Sequence, residues 1–184
     1  MASHVVRKLR EEKPIIGVVH LLPLPGSPRY GGSLGVIVRR AMDDAEAYVE
    51  GGLRWIIVEN YGDAPYNVRV REPETIASLT AIARELVESF SGVTWGINML
   101  RNSAPEALAV AYAVGAEFIR VNALVETVVA PEGILYPVAR ERAEAKALLG
   151  AWNIGVLADI HVKHGAPLAP RGIEETARDA VGRG

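Results

Sequence analysis

Five stretches of the chain, 14–20, 53–59, 93–99, 117–122 and 154–160, are rich in valine and isoleucine and nearly continuous in apolar residues. A strand with one wet face alternates apolar with polar, whereas a strand covered on both faces does not. The five stretches therefore predict strands of a parallel sheet. Helical spacing fills the intervals. Ile37, Ala41, Ala45 and Tyr48 fall on one helical face, and Ile76, Leu79, Ala83, Leu86 and Phe90 on another, with Pro73 placed for a first turn. Segments 104–114, 138–149 and 173–181 continue the pattern, and Gly51, Gly52, Gly115 and Gly150 stand where helices should end.

A strand–helix unit repeated in this way implies right-handed crossovers between parallel strands. The sheet could be open and doubly wound, or part of a closed barrel. The loop after the first strand, Leu21-Leu22-Pro23-Leu24-Pro25-Gly26, contains no glycine-rich phosphate motif. Every strand instead ends in polar residues, which is how a barrel gathers its ligand groups at one mouth. Asp159, His161 and Lys163 share one strand parity, and Ala158, Ile160 and Val162 the other. The expected fold is thus α/β, an incomplete (βα)8 TIM barrel. Such a barrel takes about 250 residues; in 184 residues there is room for about five units, with the last three strands missing. A single domain over 1–184 is expected, with 1–13 a short N-terminal extension. An unclosed sheet leaves unpaired edges, so a homo-oligomer or a complementary fragment is the expected partner.

Composition narrows the function classes. The net charge is −2, and no basic stripe marks a nucleic-acid surface. Cysteine is absent, so disulfides and thiolate metal sites are excluded. No apolar stretch reaches the roughly 20 residues of a membrane span, and the charged start MASHVVRKLREEKP is not a secretory leader. The expected location is the cytoplasm.

The stretches GVVHLLPLPGSPRY (17–30), VENYGDAPY (58–66), GINMLRNSAPEAL (96–108), FIRVN (118–122) and ADIHVKHGAPL (158–168) together resemble the BtpA/SgcQ family. The resemblance covers nearly the whole chain in the family's order. It implies a ribulose-phosphate-binding type of TIM barrel. It also implies a role in photosystem I biogenesis for cyanobacterial members, and a poorly defined or sugar-metabolic role elsewhere. Two departures matter. The strands that would carry the phosphate-binding loops have no counterpart, and Ser103 stands where the family usually has Asp.

The candidate catalytic residues are Glu59, Asp159, His161 and Lys163. Glu59 is placed to act as a general base, Asp159 to orient His161 as another, and Lys163 to hold an anion or form a Schiff base. Glu59, Asp159 and His161 are also the candidates for holding a divalent metal, the cofactor this reading admits. Substrate-binding candidates are His20, Asn60, Asn98, Arg101, Arg120, Asn122 and His164. Arg101 could clamp an anion through two parallel hydrogen bonds. Arg120 inside a strand needs a carboxylate, with Glu59 or Asp159 as its expected partner. Gly96 should leave room beside Asn98, and Asn102 should cap the following helix. The first functional expectation is binding of a phosphorylated sugar or similar small anionic metabolite, with lyase, isomerase or aldolase-type chemistry. The alternatives are a non-catalytic assembly factor and an inactive shortened product.

Overall fold

The structure is a computed structural model that describes residues 4–183; residues 1–3 and 184 of the expected domain lie outside the described residues. Strands β1 (Ile16–His20), β2 (Trp55–Glu59), β3 (Thr94–Asn98), β4 (Phe118–Val121) and β7 (Gly155–Ala158) form one parallel sheet in the order β1-β2-β3-β4-β7. Sheet order follows chain order without reversal. The sheet is open, so the described residues form no closed barrel. Helices α2 (Leu34–Glu50), α3 (Pro73–Ser89), α4 (Ala104–Val114), α5 (Ala139–Leu149) and α6 (Ile173–Gly182) follow the five strands in turn. Pro73 is the first residue of α3, and Gly115 and Gly150 close α4 and α5 in the left-handed conformation.

Strand alternation splits the core in two. Val19, Ile56, Val58, Trp95, Ile97, Ile119 and Val121 face the helix layer and form the main core with Leu79, Ile82, Leu86 and Leu108. The opposite face carries Trp55, Ile57 and Phe118, with Ile16, Val18 and Leu157 beside them. This second face is covered at its N-terminal end by α1 (His4–Glu12), which supplies Val5, Val6 and Leu9. Three polar contacts seat the helix there. Lys8 Nζ donates to Thr94 Oγ1 at 2.9 Å and lies 5.4 Å from the Trp55 ring centroid. Trp55 Nε1 donates to Glu12 Oε2 at 2.8 Å. Residues 4–12 of the segment expected to be an extension thus pack against the sheet.

The structure departs from expectation at two further points. Strands β5 (Val128–Ala130), β6 (Gly133–Leu135) and β8 (Ala166–Pro167) form a small antiparallel sheet in the order β6-β5-β8, which joins the loops after β4 and β7. The space expected at Gly96 is filled by Phe118, whose ring carbons would lie 2.3 Å from a Cβ at position 96. The glycine serves the ring, and no cavity results.

Lys146 on α5 is buried and donates to Ile154 O at 2.5 Å, four residues from the equally buried Arg142. Burial, and secondarily the Arg142 charge, push its pKa down to about 8.

Gly96→Ala should destabilise the fold by about 1–3 kcal/mol through overpacking, and adding Phe118→Leu should recover part of the loss in urea unfolding; an unaltered midpoint for the single variant would refute the contact. Lys146 binds its proton less tightly folded than unfolded. Its contribution should therefore be least favourable below pH 8 and improve as pH rises toward the ordinary lysine value of 10.5, by up to about 1.4 kcal/mol per pH unit. The stability difference between wild type and Lys146→Met, measured across that window, should track this rise; parallel curves would contradict it.

Candidate functional site

Parallel pairing without stagger aligns four polar residues across the sheet. His20 pairs with Glu59, Glu59 with Asn98, and Asn98 with Arg120. Residues paired in this way share a face, so the four side chains stand in one row, on the same face as Ile57 and Phe118. Asn122 and Asp159 lie beyond the row on their strands' extensions, two residues past Arg120 and Leu157, which are themselves paired.

Arg120 binds the row together. Its Nε and Nη2 donate to Asp159 Oδ1 and Oδ2, both at 3.0 Å, and Nη1 reaches Glu59 Oε2 at 3.3 Å. Burial opposes the charged guanidinium, but the hydrogen bonds and charge of Asp159 and the charge of Glu59 outweigh it, and its pKa is raised. Asn122 Nδ2 adds a bond to Asp159 Oδ2 at 2.9 Å, and Asn98 Nδ2 one to Glu59 Oε2 at 2.5 Å. Both partners expected for Arg120 are thus present at once. Glu59 is only 4% exposed. One of its oxygens is held by Asn98 and Arg120. The other, Oε1, has no hydrogen-bond donor among the described residues; His20 Nε2 is 3.6 Å away. The half-exposed His20 ring stacks on Tyr61 with centroids 4.3 Å apart.

The remaining candidates go elsewhere. Asn60 is fully buried: its amide donates to Asp63 Oδ2 at 2.9 Å and accepts from Leu100 N at 2.7 Å. Asp63 Oδ1 in turn accepts from Leu24 N at 2.7 Å. This pair fastens the loops after β1, β2 and β3 to one another, and burial raises the Asp63 pKa. Asn102 does not cap α4. Its side chain donates to Ala123 O and Tyr136 O and accepts from Ala123 N, because the loop after β4 passes within reach. Ser103 is the N-cap residue but makes no cap bond; its hydroxyl accepts from Val70 N at 2.9 Å.

His161 does not join Asp159. β7 stops at Ala158, and His161 takes a left-handed conformation with φ +53°, which breaks the strand parity on which its expected position rested. The ring lies 3.4 Å from Glu126 Oε1. Glu126, missed in the sequence, is buried and also accepts from His161 N and Thr176 Oγ1. Lys163 and His164 are exposed on the same turn. Glu59 and Asp159 thus meet at Arg120 while His161 pairs with Glu126, and among the described residues no three His, Asp or Glu side chains form a metal-holding group. Arg101 is buried beside Glu132, Nε to Oε2 3.4 Å.

All of these residues lie within the span that a protein-family model matches. The model of the BtpA family matches residues 11–184. The chain belongs to the BtpA family. An uncharacterized protein of Pyrococcus abyssi is 48% identical over 94% of this BtpA-family chain and 64% of its own length. An uncharacterized protein of Archaeoglobus fulgidus is 48% identical over 86% of the chain and 63% of its own length. The Synechocystis protein named photosystem I biogenesis protein BtpA is 40% identical over 93% of the chain and 59% of its own length. The chain thus spans just under two thirds of the length of these curated relatives. No helix among the described residues is long and apolar enough to cross a membrane.

Removing Arg120 leaves two carboxylates facing each other without their shared cation. Arg120→Met should cost about 3–5 kcal/mol in denaturant unfolding, with partial recovery on adding Asp159→Asn. A loss below about 1 kcal/mol, the scale of a surface pair, would show that the row does not depend on it.

Proposed function

We propose that the polar row is a small-molecule site whose ligand is a hydroxylated metabolite bearing an anionic group, of the sugar-phosphate type. Glu59 is the group that takes and returns a proton in lyase, isomerase or aldolase-type chemistry. The observation that carries this reading is the state of the Glu59 carboxylate. It is buried, it is fixed through one oxygen by Asn98 and Arg120, and its other oxygen has no donor of its own. A base needs this combination: a defined position, and an acceptor left for the substrate's proton. His20 beside that oxygen could pass the proton onward, and the amides of Asn98 and Asn122 suit hydroxyl groups.

Sheet order supports a larger frame. Five parallel strands in sequential order, with polar groups of one face at or just past their C-terminal ends, fit the first part of a (βα)8 barrel, whose mouth lies at the strand C-termini. The relatives' greater length leaves room for the rest of such a barrel.

A second reading rests on the printed name of the Synechocystis relative. Under it the chain is an accessory factor in the assembly of a membrane complex, and the polar row has a structural role. The two readings separate in one experiment. An NMR titration with a panel of sugar phosphates should perturb amides at the C-terminal ends of β1 to β4 and β7, and Glu59→Gln should remove turnover of the responding ligand by about 100-fold or more without unfolding the chain. Absence of any response across the panel, or perturbations confined to the helix surface, would sink the metabolite reading.

A further inference from the structure

Two arginines stand near the same end of the sheet, and their donors are engaged differently. Arg120 grips both oxygens of Asp159 through the Nε–Nη2 edge of its guanidinium. Arg101 is 7% exposed, yet Nε and Nη2, the same edge, make no hydrogen bond among the described residues. Its neighbour Glu132 approaches at 3.4 Å, and the Glu132 Oε2 atom is likewise without a hydrogen bond. Two buried donors and a buried acceptor in poor mutual geometry are an unfavourable arrangement. A planar or tetrahedral oxyanion presenting two oxygens would satisfy that edge as Asp159 satisfies Arg120.

The surroundings fit a gated receptor. Arg101 N bonds Asn67 O, fixing its backbone beneath the loop after β2. Glu132 sits on the turn between β5 and β6, where a side chain on the adjacent Gly133 would reach Val68 of that same loop. Asn60, the residue after Glu59, accepts from the backbone N–H of Leu100, the residue before Arg101, at 2.7 Å, which ties the two positions together at the ends of β2 and β3.

We infer that Arg101 receives the anionic group of the rim ligand, a phosphoryl or carboxylate group, and that Glu132 holds its place until the ligand displaces it. Arg120, committed to Asp159 and Glu59, is a positioning residue and does not bind the anion. This rests on the proposed metabolite role and assigns one part of the ligand to one residue.

Inorganic phosphate and acetate, titrated calorimetrically into the full chain, provide the test. Glu132→Gln should bind the preferred ion about tenfold tighter than wild type, since the competing carboxylate is gone. Arg101→Gln should lose binding. Should that variant unfold with Glu132 left unpaired, Arg101→Gln with Glu132→Gln removes both charges and should be folded and non-binding. Preference for phosphate over acetate assigns the group as phosphoryl, and the reverse as carboxylate. Unchanged or weaker binding in Glu132→Gln, or wild-type affinity in either Arg101 variant, overturns the inference. If such a failure occurs while sugar-like ligands still perturb Glu59, the metabolite reading survives alone. Anion binding at Arg101 with no ligand response at Glu59 supports the anion receptor and sinks the proton chemistry assigned to the row.

Discussion

The candidate site depends on the register of a parallel sheet. Without stagger between β1, β2, β3 and β4, His20, Glu59, Asn98 and Arg120 stand side by side. A slip of one residue would turn any of them into the helix layer, where a charge has no partner. The row in turn constrains the register, because Arg120 spans from β2 to the end of β7 and ties three elements through two carboxylates. Backbone pairing and side-chain electrostatics therefore select the same alignment.

The second face needs both of its halves. Trp55, Ile57 and Phe118 give the row a dry floor, and a low-dielectric floor strengthens the Arg120 contacts above it. The loops are held as firmly. Asn60, Asp63 and Asn102 each use side-chain groups to satisfy backbone donors or acceptors of a different loop. Such amides and carboxylates resemble ligand-binding groups in sequence, since they are polar, follow strands and are drawn from the same residue types.

This explains what the sequence could and could not reveal. Continuous apolar stretches identified all five strands of the parallel sheet; β2 and β3 are buried on both faces, and the edge strands β1 and β7 share the apolar composition while only partly buried. The polar strand ends identified the row, and an arginine inside a strand required a carboxylate partner. The hairpin β5-β6 and strand β8 escaped notice because they are two or three residues long and β8 contains Pro167. Helix α1 was obscured by its charge; only Val5, Val6 and Leu9 mark its packed side. His161 was misplaced because parity holds only while the strand continues, and a left-handed residue ends it. Glu126 lies on a loop and meets His161 and Thr176 only through the tertiary fold.

Helix α1 has a consequence for how the molecule comes into being. It is the first described element to leave the ribosome, yet its seat is built from β1, β2 and β4 and is bordered by Leu157 of β7, near the other end of the chain. Until β7 is made, α1 has only part of its binding surface, and the Trp55 and Phe118 face stays partly open. The first described helix thus completes its seat only once the fifth strand of the sheet is in place. Long-range closure of this kind slows folding and leaves the nascent chain exposed to association with its own copies in the interval.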